Sequence, residues 1–464
     1  MQSAYRRGCR RLLLEMPCGS GKTYLAAGIM RRSAAKGHLV VFVAPLQSLV
    51  HQCSARLDAH GVDHGIIMSN HPRRRPHDPI QVASIWTLAR RLDVLPTVGL
   101  MIIDECHLAL SDSYTKVIQR IDPRVIVGLS ATPERLDGRG LGDLFDALIH
   151  VVTPADLIAE GHLVPTRVFQ PAAPNLDGVH IRRGDYVTDE LAEVMDDRKL
   201  IGDLVEHYQR EAMGRTAVLY AVNLKHSQHC KGLFEAAGIT AAHMDATTTH
   251  AEREQIFSKW KQGEIKILCN VNVISMGYDE PACSCVIDAA PTASISRYLQ
   301  RVGRGSRPKE GKANAILLDH AGNTLRHGLL PGDAREWSLS PTKRRRKNGE
   351  HEITFARCEK CFCLYRGPAC PECGTAAKER KTRKPIEQAD GRLVEAGTQI
   401  DIDDRLKEKV LSYYHQRLLE ASRKRTKDGQ PYKPGWAFYR VVNRFGERVA
   451  RQCIPRRRST ENLG

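Results

Sequence analysis

The sequence predicts an α/β protein: two tandem parallel-sheet domains, then a small four-cysteine module and a basic C-terminal region. Three observations carry this. Short apolar runs alternate with helical stretches over residues 10–152 and again over 216–320. A glycine-rich turn at 16–23, Met-Pro-Cys-Gly-Ser-Gly-Lys-Thr, joins an apolar run to a helical pattern in the first stretch alone. Two Cys-x2-Cys pairs follow the second stretch.

Taken in order, residues 1–155 form the first domain, with strands expected at 11–15, 39–44, 80–84, 99–103, 125–129 and 148–152. Val40, Val41, Phe42 and Val43 run without alternation, as strands covered on both faces do. Residues 156–198 lose the rhythm: Pro165, Pro171 and Pro174 punctuate a mixed-charge stretch that reads as a linker or accessory segment. Residues 199–337 resume it, with strands expected at 217–221, 239–243, 266–270, 284–288 and 314–318. Glu252, Ile256, Phe257 and Trp260 mark an amphipathic helix between two of them. Residues 338–380 hold a basic linker and the cysteine module. Residues 381–464 hold one amphipathic helix, on Leu406, Val410, Leu411, Tyr414 and Leu418, and a tail of aromatics among Lys and Arg.

Composition excludes some classes. No apolar run reaches the 18 or so residues a membrane helix needs, and the start has no signal-peptide core, so a cytoplasmic protein without a membrane partner is expected. The net charge is +17, and residues 338–464 carry 30 Lys and Arg against 16 Asp and Glu. That surplus suits a polyanion such as nucleic acid; a solvated basic tail is the plainer alternative. Fourteen cysteines in such a chain read as thiols rather than disulfides, with Cys9, Cys18, Cys53 and Cys230 as small core residues.

The chemistry concentrates in four places. In the glycine-rich turn, the backbone N–H groups around Pro17, Cys18, Gly19, Ser20 and Gly21 would cradle phosphates. Lys22 would reach the β/γ-phosphates and the Thr23 hydroxyl a Mg2+ ion. Residues 104–107, Asp-Glu-Cys-His, end another apolar run, placing Asp104 as the second Mg2+ partner and Glu105 beside an attacking water. Arg301, Arg304 and Arg307, at spacing three in the run 300–307, are expected at a helix start. From there they could reach a γ-phosphate across an interdomain cleft. Finally, Cys358, Cys361, Cys370 and Cys373 offer four thiolates on two short turns, a closed tetrahedral Zn2+ site; Cys363 is a spare sulfur expected not to bind.

These segments, in this order over roughly residues 10–320, resemble the superfamily 2 helicases, whose two RecA-like domains close on ATP and a nucleic-acid strand. Residues 16–23 resemble motif I and 104–107 motif II. Ser130 to Pro133 resemble motif III, 218–221 motif IV, 270–279 motif V and 300–307 motif VI. The resemblance implies that Arg304 and Arg307 contact the γ-phosphate, with Gln300, Lys22, Asp104 and Glu105 completing the catalytic set. It places Arg301 in the motif II network, Asp279 on the ribose, and Gly277 where the backbone approaches closely. His107, Ser130 and Thr132 would couple the ATP cleft to the strand path. Pro45, Gln52, Ser84 and Asn270 would touch nucleic acid. The family's aromatic-Gln segment, which reads adenine upstream of motif I, has no match in the 15 residues before Met16.

Tyr432, Trp436 and Phe445 among basic residues narrow the resemblance to the RadD-like group of bacterial and phage DNA-repair helicases. Trp436 could stack a base, or with Phe438 form the core of a small domain. The expectation is an ATP-dependent helicase or translocase using ATP, Mg2+ and Zn2+. DNA is expected as its partner ahead of RNA, with single-stranded-DNA-binding or repair proteins as further partners. The alternatives are a non-unwinding motor of a restriction-like complex and an ATP-switched nucleic-acid clamp.

Overall fold

A computed structural model describes residues 1–464 apart from 92–94, 96, 136–137, 172, 183, 196–197, 272, 275–279, 329, 341–354, 378–403, 424–433, 446–452 and 455–464. The first domain comprises α1 (Gln2–Arg6), β1 (Arg11–Glu15), α2 (Lys22–Ala34), β2 (Leu39–Ala44), α3 (Gln47–Ala59), β3 (Gly65–Ile67), β4 (Ile80–Ser84), α4 (Ile85–Leu88), β5 (Val98–Asp104), α5 (Asp112–Ile121), β6 (Val125–Ser130) and β7 (Ala147–His150). Its seven strands are parallel, in the order β3-β4-β2-β5-β6-β1-β7. Val40 to Ala44 are fully buried because helices cover both faces, which is why their sequence does not alternate.

The second domain follows as α6 (Pro154–Ala159), β8 (Thr166–Phe169), β9 (Ile181–Arg182), β10 (Asp185–Tyr186), α7 (Thr188–Met195), α8 (Arg198–Ala212), β11 (Ala217–Tyr220), α9 (Leu224–Ala236), β12 (Ala241–Met244), α10 (His250–Gln262), β13 (Ile267–Asn270), β14 (Cys285–Asp288), α11 (Ile295–Val302), β15 (Ala315–Asp319), α12 (Asn323–His327), β16 (Ala356–Arg357) and β17 (Cys363–Tyr365). The sheet order is β12-β13-β11-β14-β15-β8-β17-β16. Helix α10 shows how local sequence sets an element. Thr249 and Glu252 form a capping box at its start, Gly263 ends it with φ of 78°, and Trp260 is buried beneath it, its indole N–H donating to Ala217 O at 3.1 Å.

Two expectations change here. The segment 156–198 is more than a linker, because β8 lies inside the second sheet, parallel to β15. The cysteine module is not freestanding either. Strand β17 pairs antiparallel with β8 and β16 with β17, so the module extends that sheet. Both strands are too short and interrupted to show a period.

Residues 331–340 form a strap that leaves the second domain and lies on the first. Gly140 N donates to Ser340 O at 2.8 Å and Gly142 N to Leu339 O at 2.7 Å. Both positions require glycine, since a Cβ at Gly140 would stand 2.3 Å from Ser338 O and one at Gly142 2.3 Å from Leu339 O. Arg335 pairs with Glu134 at 3.1 Å and lies 4.6 Å over the Trp337 ring, while Arg366 beside the cysteine cluster pairs with Asp333 at 2.7 Å.

Residues 379–464 form a separate compact unit. It contains α13 (Asp404–Arg423) and α14 (Pro434–Phe445), which pack through Val410, Val441, Cys453 and Ile454. No helix among the described residues is long and apolar enough to cross a membrane.

Candidate nucleotide site and cysteine cluster

The site is built where the strands of the first sheet end. After β1 the chain turns through Gly19 and Gly21, with φ of 81° and 82°, a left-handed backbone that glycine adopts freely. Helix α2 then starts at Lys22 with no side-chain cap, so its first N–H groups face the loop. Burial works against the Lys22 charge, but Cys18, Glu105 and Asp104 more than offset it and its pKa is raised.

Asp104 ends β5, two strands from β1. Burial and the neighbouring Glu105 carboxylate push its pKa up to about 7, so a cation beside it would be strongly favoured. Glu105 sits at φ of 48°, a left-handed backbone costing a non-glycine residue roughly 1–3 kcal/mol. Burial opposes its charge too, yet His107 and Lys22 hold its pKa low, with Arg304 adding to them. His107 Nδ1 lies 3.4 Å from Glu105 Oε2. Ser20 Oγ and Gln300 Nε2 are buried with no hydrogen-bond partner among the described residues. Orphaned polar atoms beside an acidic pair and a raised lysine fit a nucleotide with its Mg2+: Thr23 and Asp104 would hold the ion, which would neutralise phosphate charge.

The second domain closes on this loop. A Cβ at Gly303 would lie 2.6 Å from Cys18 Cβ, and one at Gly19 3.6 Å from Arg307 Cγ. Arg307 is close enough to Lys22 for its charge to oppose the lysine's. The Thr132 hydroxyl, after β6, hydrogen-bonds the Ser296 hydroxyl on α11, and Thr132 N donates to Ser130 Oγ at 3.0 Å.

The four thiol sulfurs of Cys358, Cys361, Cys370 and Cys373 lie within 4.8 Å of one another, with 3.5 Å between Cys358 and Cys373 and between Cys361 and Cys370. Tetrahedral Zn–S bonds of about 2.3 Å put sulfurs roughly 3.8 Å apart. The Thr375 hydroxyl, at 3.1 Å, pushes the Cys373 thiol down to about 6, toward the thiolate a metal needs. The cluster could hold a metal ion; Cys363 is buried on β17 outside it.

Residues 1–135 match the family described as the res subunit of type III restriction enzymes, and 199–309 match the helicase conserved C-terminal domain. The chain is 30% identical over 404 residues to a 51.5 kDa protein of Lactococcus phage isolate 7-9, covering 86% of this chain and 84% of that one. The chain belongs to the superfamily 2 helicases. It is therefore an ATP-hydrolysing helicase or translocase with a nucleic-acid partner, and ATP and Mg2+ are its cofactors. It is also 25% identical over 347 residues to the DNA 3'-5' translocase XPB2 of Sulfurisphaera tokodaii, covering 67% of this chain and 77% of that one. Two yeast relatives are spanned over only 50% and 58% of their length. Among solved structures, a fragment assigned to the HsdR subunit of a Vibrio vulnificus type I restriction enzyme shares the fold. Its TM-score is 0.54 at 21% identity, over 70% of this chain and 62% of that one.

Within this helicase, motifs I, II, III and VI converge on the cleft, while some expected residues are used otherwise. Motif VI does not begin a helix. Helix α11 ends at Val302, so Arg301 sits in its last turn and Arg304 and Arg307 follow beyond. Arg301 is spent inside the second domain, donating to Asp288 Oδ1 at 3.1 Å and Ala290 O at 2.6 Å, 5.3 Å over the Tyr220 ring, and so does not join motif II. Asn270 is fully buried between Leu219 O at 2.9 Å and Ile274 N at 3.3 Å, which keeps it from reaching a strand. Gly277 and Asp279 lie outside the described residues.

Pro45 follows β2 and Ser84 ends β4, on the loop side of the sheet. Both are buried, and Pro45 O accepts from the Trp86 indole at 3.2 Å, leaving Trp86 61% exposed beside them. Gln52, on α3, is half-buried. Trp436, in the C-terminal unit, is half-buried with Arg440 5.3 Å over its ring. Sequence reasoning missed Ser296 and the strap. Gly303, inside a glycine-arginine run, is the one local feature that could have signalled the Cys18 contact.

Proposed function

We propose that the chain is an ATP-driven translocase on DNA, acting in repair or recombination. The observation that carries this is the seating of Gly303 and Arg307 from the second domain against Cys18 and Gly19 of the phosphate loop. A site whose catalytic cations come from both domains turns over only when they close, and closing around a strand moves one domain along it. Lys22 and the loop N–H groups hold the β- and γ-phosphates. Glu105 positions the water, and Arg304 and Arg307 stabilise the charge developing on the transferred group. The Thr132–Ser296 hydrogen bond reports closure to the strand-facing edge at Pro45, Ser84 and Trp86.

DNA is favoured by the named activity of the XPB2 relative, and repair by the RadD-like C-terminal pattern. Single-stranded-DNA-binding or repair proteins are the expected partners. Zinc is the metal that four closely spaced thiols at a closed site best suit. The deciding experiment measures ATP turnover with single-stranded, duplex and forked DNA and with RNA, alongside fork unwinding. DNA-stimulated turnover supports the proposal, and stimulation by RNA alone overturns it.

A second reading, a non-unwinding motor of a restriction-like complex, is favoured by the res-subunit match over residues 1–135. Duplex-stimulated turnover without fork unwinding would select it.

A further inference from the structure

A cavity of about 470 Å³ opens beside the phosphate loop. Pro17 and Cys18 line it on the loop side, Leu299 on α11 on another, and Glu15, His150 and Trp337 are among its other lining residues. Its volume falls in the range of small-molecule pockets, and its lining is mainly apolar with a few polar groups.

Sheet order says what part of a nucleotide would reach it. The strand ends run β5, β6, β1, β7, so Asp104 and Glu105 stand on one side of the loop and His150 on the other. A triphosphate with its γ-phosphate at the acidic pair has its base on the β7 side. We infer that the base of the bound nucleotide occupies this cavity, stacked on Trp337 with its exocyclic amino group toward the Glu15 carboxylate. This rests on the nucleotide reading above and goes further, because it assigns base recognition to the strap that follows the second domain.

The residues suit the task. Trp337 is 9% exposed, with Arg335 over its ring at 4.6 Å, so the indole is fixed before a base arrives. The Glu15 carboxylate is buried and hydrogen-bonded to His150 Nδ1 at 3.0 Å through Oε2. Burial raises the Glu15 pKa while His150 and Lys22 draw it back down; in its ionised form the carboxylate only accepts, so it favours an amino group over a carbonyl at the same ring position. Adenine meets that requirement, and hypoxanthine, with a carbonyl there, does not.

The test uses the full-length protein with ATP, ITP, ADP and inorganic triphosphate. Trp337→Ala should raise the KM for ATP and the Kd for ADP, measured by calorimetry, roughly tenfold or more. It should leave inhibition by inorganic triphosphate unchanged, and Trp337→Phe, which keeps an aromatic face, should restore most of the loss. Glu15→Gln should shrink the preference for ATP over ITP, because its amide N–H can donate to the carbonyl. If Trp337→Ala weakens inorganic triphosphate as much as ADP, the ring serves packing alone and the inference fails. It also fails if neither variant alters base preference or affinity while the wild type hydrolyses ATP. A wild-type protein that hydrolyses no nucleotide would instead overturn the function proposed above.

Discussion

The hydroxyl of Thr132 is hydrogen-bonded to the hydroxyl of Ser296, 164 residues further along the chain and on the other domain. Both are buried, so removing one strands the other, at a cost of about 1–3 kcal/mol to the closed state. Ser296→Ala and Thr132→Val should each leave ATP binding intact and lower DNA-stimulated turnover roughly tenfold. The double variant should be little worse than either single one, since they share one interaction. Additive losses in that cycle would show that the hydroxyls act separately.

Lys22→Ala should abolish hydrolysis, and Glu105→Gln should bind ATP without turning it over. Normal turnover by the Glu105→Gln protein would remove Glu105 as the water-positioning group. Arg304→Ala should lower kcat by roughly 10³-fold while nucleotide affinity falls less.

Gly303→Ala tests domain closure without touching a charge. Alanine is the better residue at this helix end by propensity, and its backbone at φ of −60° accepts it. Its Cβ would nonetheless meet Cys18 Cβ at 2.6 Å. We expect an unchanged or raised melting temperature with turnover reduced severalfold or more, and recovery when Cys18→Gly clears the way. A variant with wild-type turnover would show that the two segments yield easily to each other.

Truncation should behave differently at two places. Ending the chain after residue 378 removes a compact unit and should preserve basal ATPase while weakening DNA binding. The log–log salt slope should fall by about 0.7 to 0.9 for each phosphate that the unit neutralises. Ending it after residue 337 also strips β17 from β8 and exposes Phe169 and Val168, so the melting temperature should drop by several degrees. Metal analysis should find one zinc per chain, and chelation should lower the melting temperature in the same sense. Chelation without any thermal effect would detach the cluster from the fold.

What the sequence made legible follows from where the information sits. Val40 to Val43 declare a two-sided strand by themselves, and β1, β2 and β4 fall at their expected limits. Gly19, Lys22, Asp104 and Glu105 were legible because loop and acidic pair each follow an apolar run. Strand β8 was not: Thr166 and Arg167 are half-buried, and Pro165 and Pro171 bracket it as they would a linker. Cys363 was legible as a sulfur outside the ligand set but not as part of a strand, because nothing local reveals that β17 borrows β8 as its partner. Arg301 shared a spacing with Arg304 and Arg307, but one helix turn decides that it faces Asp288 instead. Ser296 and Trp337 answer to partners on another domain, and no local pattern records such a pairing.

Because β8 belongs to the second sheet, the covalent passage between the two sheets shrinks to the stretch from His150 to Thr166, part of it taken up by α6. So short a leash, stiffened by a helix, limits how far the two sheets can part. The reach of any opening between the sheets is then bounded by the backbone between those two residues.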